Sequence, residues 1–484
     1  MIQFLTGIFK LHNPSQHKQR VLDHALLEYT RGYQTLLDYA HEHIDVIQKD
    51  GKDKNQHGVE KYTSRSVAKF LPRNIITADI HGSMKESLRQ NVAATLASYC
   101  ALVEVAPKTS FPTCRDPFPT AYPNALDNFI LVGSSVEDYN RYKDELLTKL
   151  RGSFMPLLFA GADGASQDSH GRARNRYFSL LRRTDKEQIL AVLYLLPANH
   201  TLGKPINARR NNLARLDTGE VFHSNSKSAI LLPIELGKSG WQMLRFLEPA
   251  MRGQSSVKSA YLIRNDERHE YFLHVSFAIE CAPRYEPQAW LGVDKGILFT
   301  AAYGIVDLKG RVQTLGHFDD DLRKLQIKHG KERERLSRQG KPITWRHYKR
   351  RAYDNILQCL ANQLIEMALE NQAGIVVEDL SNIKVRGKRV RSRFRKLDNM
   401  LCYKCKIAGI PYRTTFAAYS SQICHKCGEL LRRDNRRVEC LHCGYVGHSD
   451  DNAAVNIARR ALYHKAEWKD RGGYRGFHQA FAKL

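Results

Sequence analysis

The chain has 484 residues, 42% of them apolar, which is enough to build real cores and excludes a disordered chain. Lys and Arg number 75 against 50 Asp and Glu, and this formal charge of +25 is spread from end to end. Spread positive charge on a folded protein points to a polyanionic partner, because each neutralised phosphate releases a counterion. Length predicts two or three domains. The longest apolar runs, such as ILAVLYLLPA, fall short of the roughly 18–20 residues that a membrane-spanning helix needs. The start, MIQFLTGIFKLHNPSQ, shows no basic leader and no small-residue cleavage site. The expectation is a cytosolic protein without a membrane partner.

Taken in chain order, Val21, Leu22, Ala25, Leu26, Tyr29, Leu36 and Ala40 recur at helical spacing and predict a helix from Ser15 to about Gln48. A second helix is expected over HGSMKESLRQNVAATLASYCAL. There Ser83 and Glu86 form a capping-box pattern, and Met84, Leu88, Val92, Leu96 and Tyr99 form the stripe. The Pro-rich stretch APKTSFPTCRDPFPTAYPNALDN reads as a loop. After about residue 150 the chain turns to strands: FMPLLFA, RYFSLLRR, ILAVLYLLP, AILLPIEL and a hairpin over AYLIRNDERHEYFLHVSFAIE. Two prolines in CAPRYEPQAW mark a boundary.

Beyond it come strands WLGVD, FTAAYGIV and RVQTLGHF, then a long helical stretch with Tyr353, Ile356, Leu360, Leu364 and Met367 on one face. A buried-type strand, GIVVEDL, follows. Three strands, a helix and a strand predict an α/β sheet with an antiparallel edge. Internal repeats are absent from the pattern. The run VRGKRVRSRFRK, Val385 to Lys396, carries seven Lys and Arg in twelve residues. It reads either as a solvated loop or, directly after an acidic strand end, as a segment lying along a nucleic-acid backbone.

Of the ten cysteines, Cys424, Cys427, Cys440 and Cys443 have the spacing C-x2-C-x12-C-x2-C, fit for a tetrahedral structural Zn²⁺. Gly428 and Gly444 after each pair let the backbone turn tightly and aim amides at the sulfurs. Four protein ligands leave no open position for catalysis at that metal. Cys402 and Cys405 have the same local spacing but lie in a helical pattern without a following glycine, so they read as buried thiols. Cys100, Cys114, Cys281 and Cys359 are scattered and read as structural.

Three acidic positions stand out. Asp294 ends a short apolar strand between Gly292 and Gly296, which permit close approach of a backbone or ligand. Glu378 ends a second strand beside Asp379. Asp450 and Asp451 open a helix rich in small residues. Each alone is ambiguous, since strand-end acids serve turns and helix-start acids serve caps. Together they can converge on one sheet edge, where such clusters bind two Mg²⁺ that hydrolyse phosphodiesters. Ala454, Ile457 and Ala458, four, seven and eight positions beyond Asp450, would meet the sheet, so Asp450 points to the other acids and Asp451 aside.

In order, GVDKGI, IVVEDL, SSQICHKCG and CGYVGHSDDNAAVNI resemble the split RuvC-like nuclease of TnpB proteins and miniature type V CRISPR effectors, over about residues 288 to 465. The resemblance implies catalytic, magnesium-binding roles for Asp294, Glu378 and Asp450, zinc ligation by Cys424, Cys427, Cys440 and Cys443, and an Arg near the site, Arg436 or Arg437. It implies a multidomain α+β protein. A wedge-like β-barrel domain over 1–20 and 150–287 would grip guide RNA, and a helical recognition lobe would span 21–149. An RNase H-like (RuvC) α/β nuclease domain over 288–420 and 448–484 would carry the zinc-binding, target-nucleic-acid-binding insertion 421–447. The implied activity is RNA-guided endonuclease cleavage of target double-stranded DNA next to a short flanking motif, in the prokaryotic cytosol. A CRISPR-associated effector is favoured, with a transposon-encoded nuclease or a guided binder that hardly cuts as alternatives. Monomer and homodimer stay open.

Overall fold

The computed structural model describes residues 2–54, 58–112, 154–159, 178–186, 188–205, 212–222, 226–237, 242–265, 268–295, 301–318, 321–341, 350–379, 388–416 and 419–462. Gly296, Cys114, most of the Pro-rich stretch, residues 113–149 of the expected lobe, 150–153 of the expected wedge-like domain and 463–484 lie outside them, as do 385–387 of the basic run. The chain divides into a unit from Phe4 to Ile279 and a unit made of Met1–Gln3 and Glu280–Leu484.

In the first unit, β1 (Ile2–Leu11) leads into helix α1 (Gln16–Glu42), α2 (Ile44–Asp50), a small hairpin of β2 (Lys52–Lys54) and β3 (Glu60–Tyr62), α3 (Ser64–Ala68) and α4 (Gly82–Val105). Strands β4 (Leu157–Phe159), β5 (Phe178–Arg183), β6 (Ile189–Tyr194), β7 (Leu213–Arg215), β8 (Ala229–Glu235), β9 (Ser255–Asn265) and β10 (Glu270–Glu280) follow, with a short helix α5 (Glu248–Met251) before β9. These strands and β1 make an eight-stranded sheet of order β4-β9-β10-β1-β8-β6-β5-β7. Helices and sheet share one core, in which Tyr29, Leu36, Leu88 and Val92 bury with Phe9, Phe178 and Phe277.

Two local expectations need correction. The first helix breaks at His43, which separates α1 from α2. The N-cap of α4 is His81, whose side chain accepts the Ser83 amide, so Ser83 sits inside the helix. Glu86 is turned to Arg89, 2.9 Å away, rather than back to a cap. An imidazole nitrogen does here what the capping-box serine does elsewhere. Beneath this start, His200 Nε2 stands 2.8 Å and His24 Nε2 3.4 Å from Asp79 Oδ2. Because His200 Nδ1 accepts the Leu202 amide at 3.0 Å, its Nε2 carries the proton and donates to Asp79. The trio is therefore a hydrogen-bonded staple and not a ligand set.

The second unit is built on a five-stranded sheet of order β13-β12-β11-β14-β15, from β11 (Ala289–Asp294), β12 (Ala302–Asp307), β13 (Val312–His317), β14 (Ala373–Asp379) and β15 (Tyr412–Phe416). Strands β12 and β13 pair antiparallel, whereas β14 runs parallel to β11 and β15 parallel to β14. Helices α6 (Asp321–Arg338), α7 (Arg350–Glu370) and α8 (Lys388–Ala408) lie between strands, and α9 (Ser449–Arg460) closes the described chain. The basic run from Lys388 onward is the start of α8, so its loop reading gives way to a helix. The segment through the two prolines is pinned to this unit, with the Ala282 amide on Ile407 O at 2.9 Å and the Gln288 amide on Gln372 O at 2.9 Å.

Alternation along the strands sorts the two faces. Leu291, Val293, Ile375 and Val377 bury in a core with Leu360, Leu364 and Leu401 of α7 and α8. Trp290 and Val376 bury on the other face with Val455, Ile457 and Ala458 of α9. The helix backbone approaches so closely that a Cβ on Gly292 would lie 2.2 Å from Ala454 O and 2.4 Å from Ala458 N. Gly292→Ala must push α9 outward. An over-packing loss of about 1–3 kcal/mol is expected, read as a lowered Tm, with a smaller loss for Gly304→Ala, where the nearest atoms are 3.1 Å away.

Candidate active site and metal centre

The same alternation that puts Trp290 and Gly292 toward α9 puts Asp294 there, and in β14 it puts Glu378 on that face after Gly374 and Val376. The register pairs Val293 with Val377, so the two acids end adjacent parallel strands side by side. Helix α9 supplies Asp450 from its first turn. Burial, then the negative charges of Glu378 and Asp450, push the Asp294 carboxyl well above the carboxylate range, against Lys295 and Arg433. Three carboxyls thus lie at one end of the sheet, and the repulsion that Glu378 and Asp450 exert on buried Asp294 would be relieved by a cation. Glu378 is also raised by burial, partly offset by the Ser420 hydroxyl, Arg460 and Lys295. Hard oxygen donors in this number fit Mg²⁺.

Several neighbours hold these acids, and sequence reasoning passed over them. Ser420 donates to Glu378 Oε1 at 2.5 Å. Lys295, on the opposite face from Asp294, donates to the Glu378 carbonyl at 2.8 Å and to Asp398 of α8 at 2.8 and 2.9 Å. A buried ammonium so paired ties the two strand ends to α8. Of the two arginines named beforehand, Arg436 reaches Asp450, with Nη1 4.0 Å from Oδ2, whereas Arg437 lies exposed on β17 (Arg437–Glu439). Asp451 turns to His317 at the end of β13, 2.8 Å from its Nε2.

The four cysteines close a separate cluster. Their sulfurs all lie within 4.8 Å of one another, with 3.6 Å between Cys424 and Cys443 and 3.4 Å between Cys427 and Cys440. A tetrahedron with Zn–S bonds of about 2.3 Å has edges close to these lengths, so the set is compatible with zinc. Gly428 and Gly444 both take left-handed backbone, φ 82° and 71°, which lets their amides turn back on Cys424 O and Cys440 O, each at 2.9 Å. The Lys426 amide points at Cys424 Sγ, 3.4 Å away. Burial pushes the Cys424 thiol up to about 11. At Cys440 burial is outweighed by backbone amides and a Cys427 thiol, which bring it down to about 7. A bound dication would favour the thiolate form that ligation requires. Cys402 and Cys405 stay in α8, outside this cluster.

The cluster and the acids are mechanically joined. Three short strands, β16 (Arg432–Asp434), β17 and β18 (Val446–His448), carry the knuckle and run directly into α9. The Nδ2 groups of Asn452 and Asn456, one turn apart on α9, both donate to Ser420 O and Ile423 O at 2.6–3.2 Å. The His425 amide donates to Asn452 Oδ1 at 2.9 Å. Ser420 thus touches Glu378 through its hydroxyl and α9 through its carbonyl. The asparagines are visible in the sequence as an i, i+4 pair beside the acids, a spacing that places both amides on one helix face.

Known proteins resemble this chain. A family described as "Cas12f1-like, TNB domain" matches residues 394–457, which hold all four cysteines and Asp450. The "CRISPR-associated endodeoxyribonuclease Cas12f2" of a Micrarchaeota archaeon is 29% identical over 236 residues, 42% of this chain and 43% of the relative. A "TnpB-like protein" of Methanocaldococcus jannaschii is 26% identical over 179 residues, 33% of this chain and 64% of the relative. The chain spans about half the length of the curated relatives it matches. A solved "Cas12f1-sgRNA-target DNA complex" superposes with TM-score 0.56 at 14% identity, covering 92% of this chain and 82% of that one, a likeness of fold.

Proposed function

Since the chain belongs to the family of TnpB proteins and miniature type V CRISPR effectors, we propose that it is an RNA-guided DNA endonuclease with one RuvC-like site. The observation that carries this reading is the placement of Asp294 and Glu378 on one face at the ends of adjacent parallel strands, with Asp450 in the first turn of the helix packed on that face. On this reading the 3-2-1-4-5 strand order is that of an RNase H-like nuclease, and the β-rich part of the first unit is the wedge-like domain that grips guide RNA beside a helical recognition lobe.

Asp294, Glu378 and Asp450 would hold Mg²⁺, and two such ions would supply an activated water and stabilise the leaving oxygen in phosphodiester hydrolysis. The chain's own groups do the rest. Ser420 fixes the Glu378 carboxylate, and Lys295 locks the strand ends so that the acids keep their spacing. Arg433 and Arg436, from the knuckle, add positive potential where a phosphate would enter. The knuckle therefore shapes entry to the site and positions the helix that brings the third acid. Guide pairing would carry sequence specificity, with the protein reading a short flanking motif.

With Asp451 engaged by His317, Asp451→Ala is expected to keep measurable cleavage while Asp450→Ala loses it, in parallel assays on the same guided complexes. The reverse order would reassign the third acid. A CRISPR-associated effector is the favoured origin; the similarity to a TnpB-like protein keeps a transposon-encoded nuclease as the second reading. A repeat array in the neighbouring DNA supports the first, and transposon ends support the second. The presence of a guide is tested by sequencing RNA that stays bound through a high-salt wash. One discrete structured RNA is expected, and random fragments that wash away would contradict a guide.

A further inference from the structure

The first unit contains a cavity of about 380 Å³ between the start of α1 and the edge of the sheet formed by β5 to β8. Its rim carries His17, Lys18, Arg183, Lys204 and Lys227, and its floor is apolar, with Leu213 and Ile230 among the side chains. None of its described lining residues is acidic. The volume lies in the range of small-ligand pockets, roughly 300–1,000 Å³. We propose that this cavity takes one nucleotide of a bound single-stranded RNA, the base on the apolar floor and its phosphate on the cationic rim.

Three observations carry the inference. Lys18 is half-buried and its Nζ donates to a neutral partner, Leu231 O, at 2.6 Å, so its charge is not cancelled by that bond and two protons remain to offer. His17 is pushed down by burial and then by Lys204, Arg20 and Lys18, which reports positive charge gathered with no acid among the groups that perturb it. His17 and Lys18 lie in the first turn of α1, a 27-residue helix whose Ser15 side chain makes no capping bond. An uncapped helix start and its dipole favour an anion. Phosphate alone would need only the rim. The apolar floor adds room for a base that has left its stack, the mode by which proteins commonly read single-stranded RNA.

The identity of the nucleic acid as RNA rests on the guide reading above; the pocket itself does not. The experiment uses the full chain and a short single-stranded RNA carrying 4-thiouridine, photo-crosslinked and mapped by peptide mass spectrometry. Crosslinks are expected on peptides that line the cavity. Leu202→Trp, at a half-buried lining position, should fill the cavity and lose them by about tenfold or more while leaving the salt dependence of binding unchanged. Lys204→Glu with Lys227→Glu, both exposed, should weaken binding and lower the salt slope by about 0.7, the single-strand value for the one phosphate the rim would hold. Crosslinks confined to other surfaces, or unchanged in Leu202→Trp, would overturn the proposal. Stronger crosslinking by thiothymidine DNA would overturn the choice of RNA. Pocket crosslinks from a protein that purifies without a discrete RNA would retain the nucleotide site while removing the guide reading.

Discussion

Asp294→Asn is expected to abolish DNA cleavage, by on the order of 10³-fold or more, and at the same time to raise the Tm of the metal-free protein at neutral pH. The first effect follows because removing one carboxylate from the acid cluster removes most of the charge that would hold the ions against the reacting phosphate. The second follows from the site's electrostatics. Burial and the charges of Glu378 and Asp450 raise the Asp294 carboxyl in the folded state, so folding favours its protonated form. The stability this group contributes is complete below the ordinary carboxylate value, about 4. It falls as pH rises toward the raised folded value. At pH 7 in EDTA the wild type therefore carries a penalty that Asn lacks. The gain should be a few degrees, at ~2–4 °C per kcal/mol for a unit of this size. It should shrink toward pH 4, and Mg²⁺ should stabilise the wild type but not the variant. A metal-free Asp294→Asn protein less stable than the wild type at pH 7 would contradict the crowded-acid picture. Glu378→Ala and Asp450→Ala should lose cleavage equally while guided DNA binding survives.

Cys424→Ser or Cys443→Ser should lose one zinc per chain and unfold the knuckle. Strands β16 to β18 are three residues each, and only Val438 and Ile423 bury there as aliphatic side chains. So little apolar burial cannot hold 421–447 without the metal, whose binding free energy in small zinc modules is about 10–16 kcal/mol. The loss should spread to the acids, because Asn452 and Asn456 hold α9 to Ser420 and Ile423 at the knuckle's entry. Cleavage should fall with the metal, and hydrogen exchange should rise through 420–460. Cys402→Ser and Cys405→Ser should leave metal content unchanged. Zinc lost on changing Cys402 would overturn the ligand set.

Much of this was legible in the residues, and the parts that were not share a cause. Period-2 alternation before Asp294 and Glu378 fixes their face once the neighbouring strands are known, and the i+4, i+8 phase from Asp450 reaches Ala454 and Ala458, the residues whose backbone meets Gly292. Helical periodicity in α1 and α4 reports burial faithfully at Val21, Leu26, Leu88 and Leu96. Strand β15, YRTTF, escaped because its alternation is weak and its pairing with β14 is long-range. The His81 cap escaped because local rules give that role to a hydroxyl. Ser420, Lys295 and Asp398 escaped for a third reason: nothing near Lys295 in the chain announces a partner at Asp398, since folding alone joins them.

The most direct test of the central claim is a cleavage assay in Mg²⁺ with the protein and the RNA that copurifies with it. The substrates are a double-stranded DNA library whose members match that RNA beside randomised flanking bases, and a library whose members do not match. The account predicts cutting only of matched DNA, restricted to one short flanking motif and lost in Asp294→Ala. Cutting that ignores the match to the RNA, or that persists in Asp294→Ala, would contradict it.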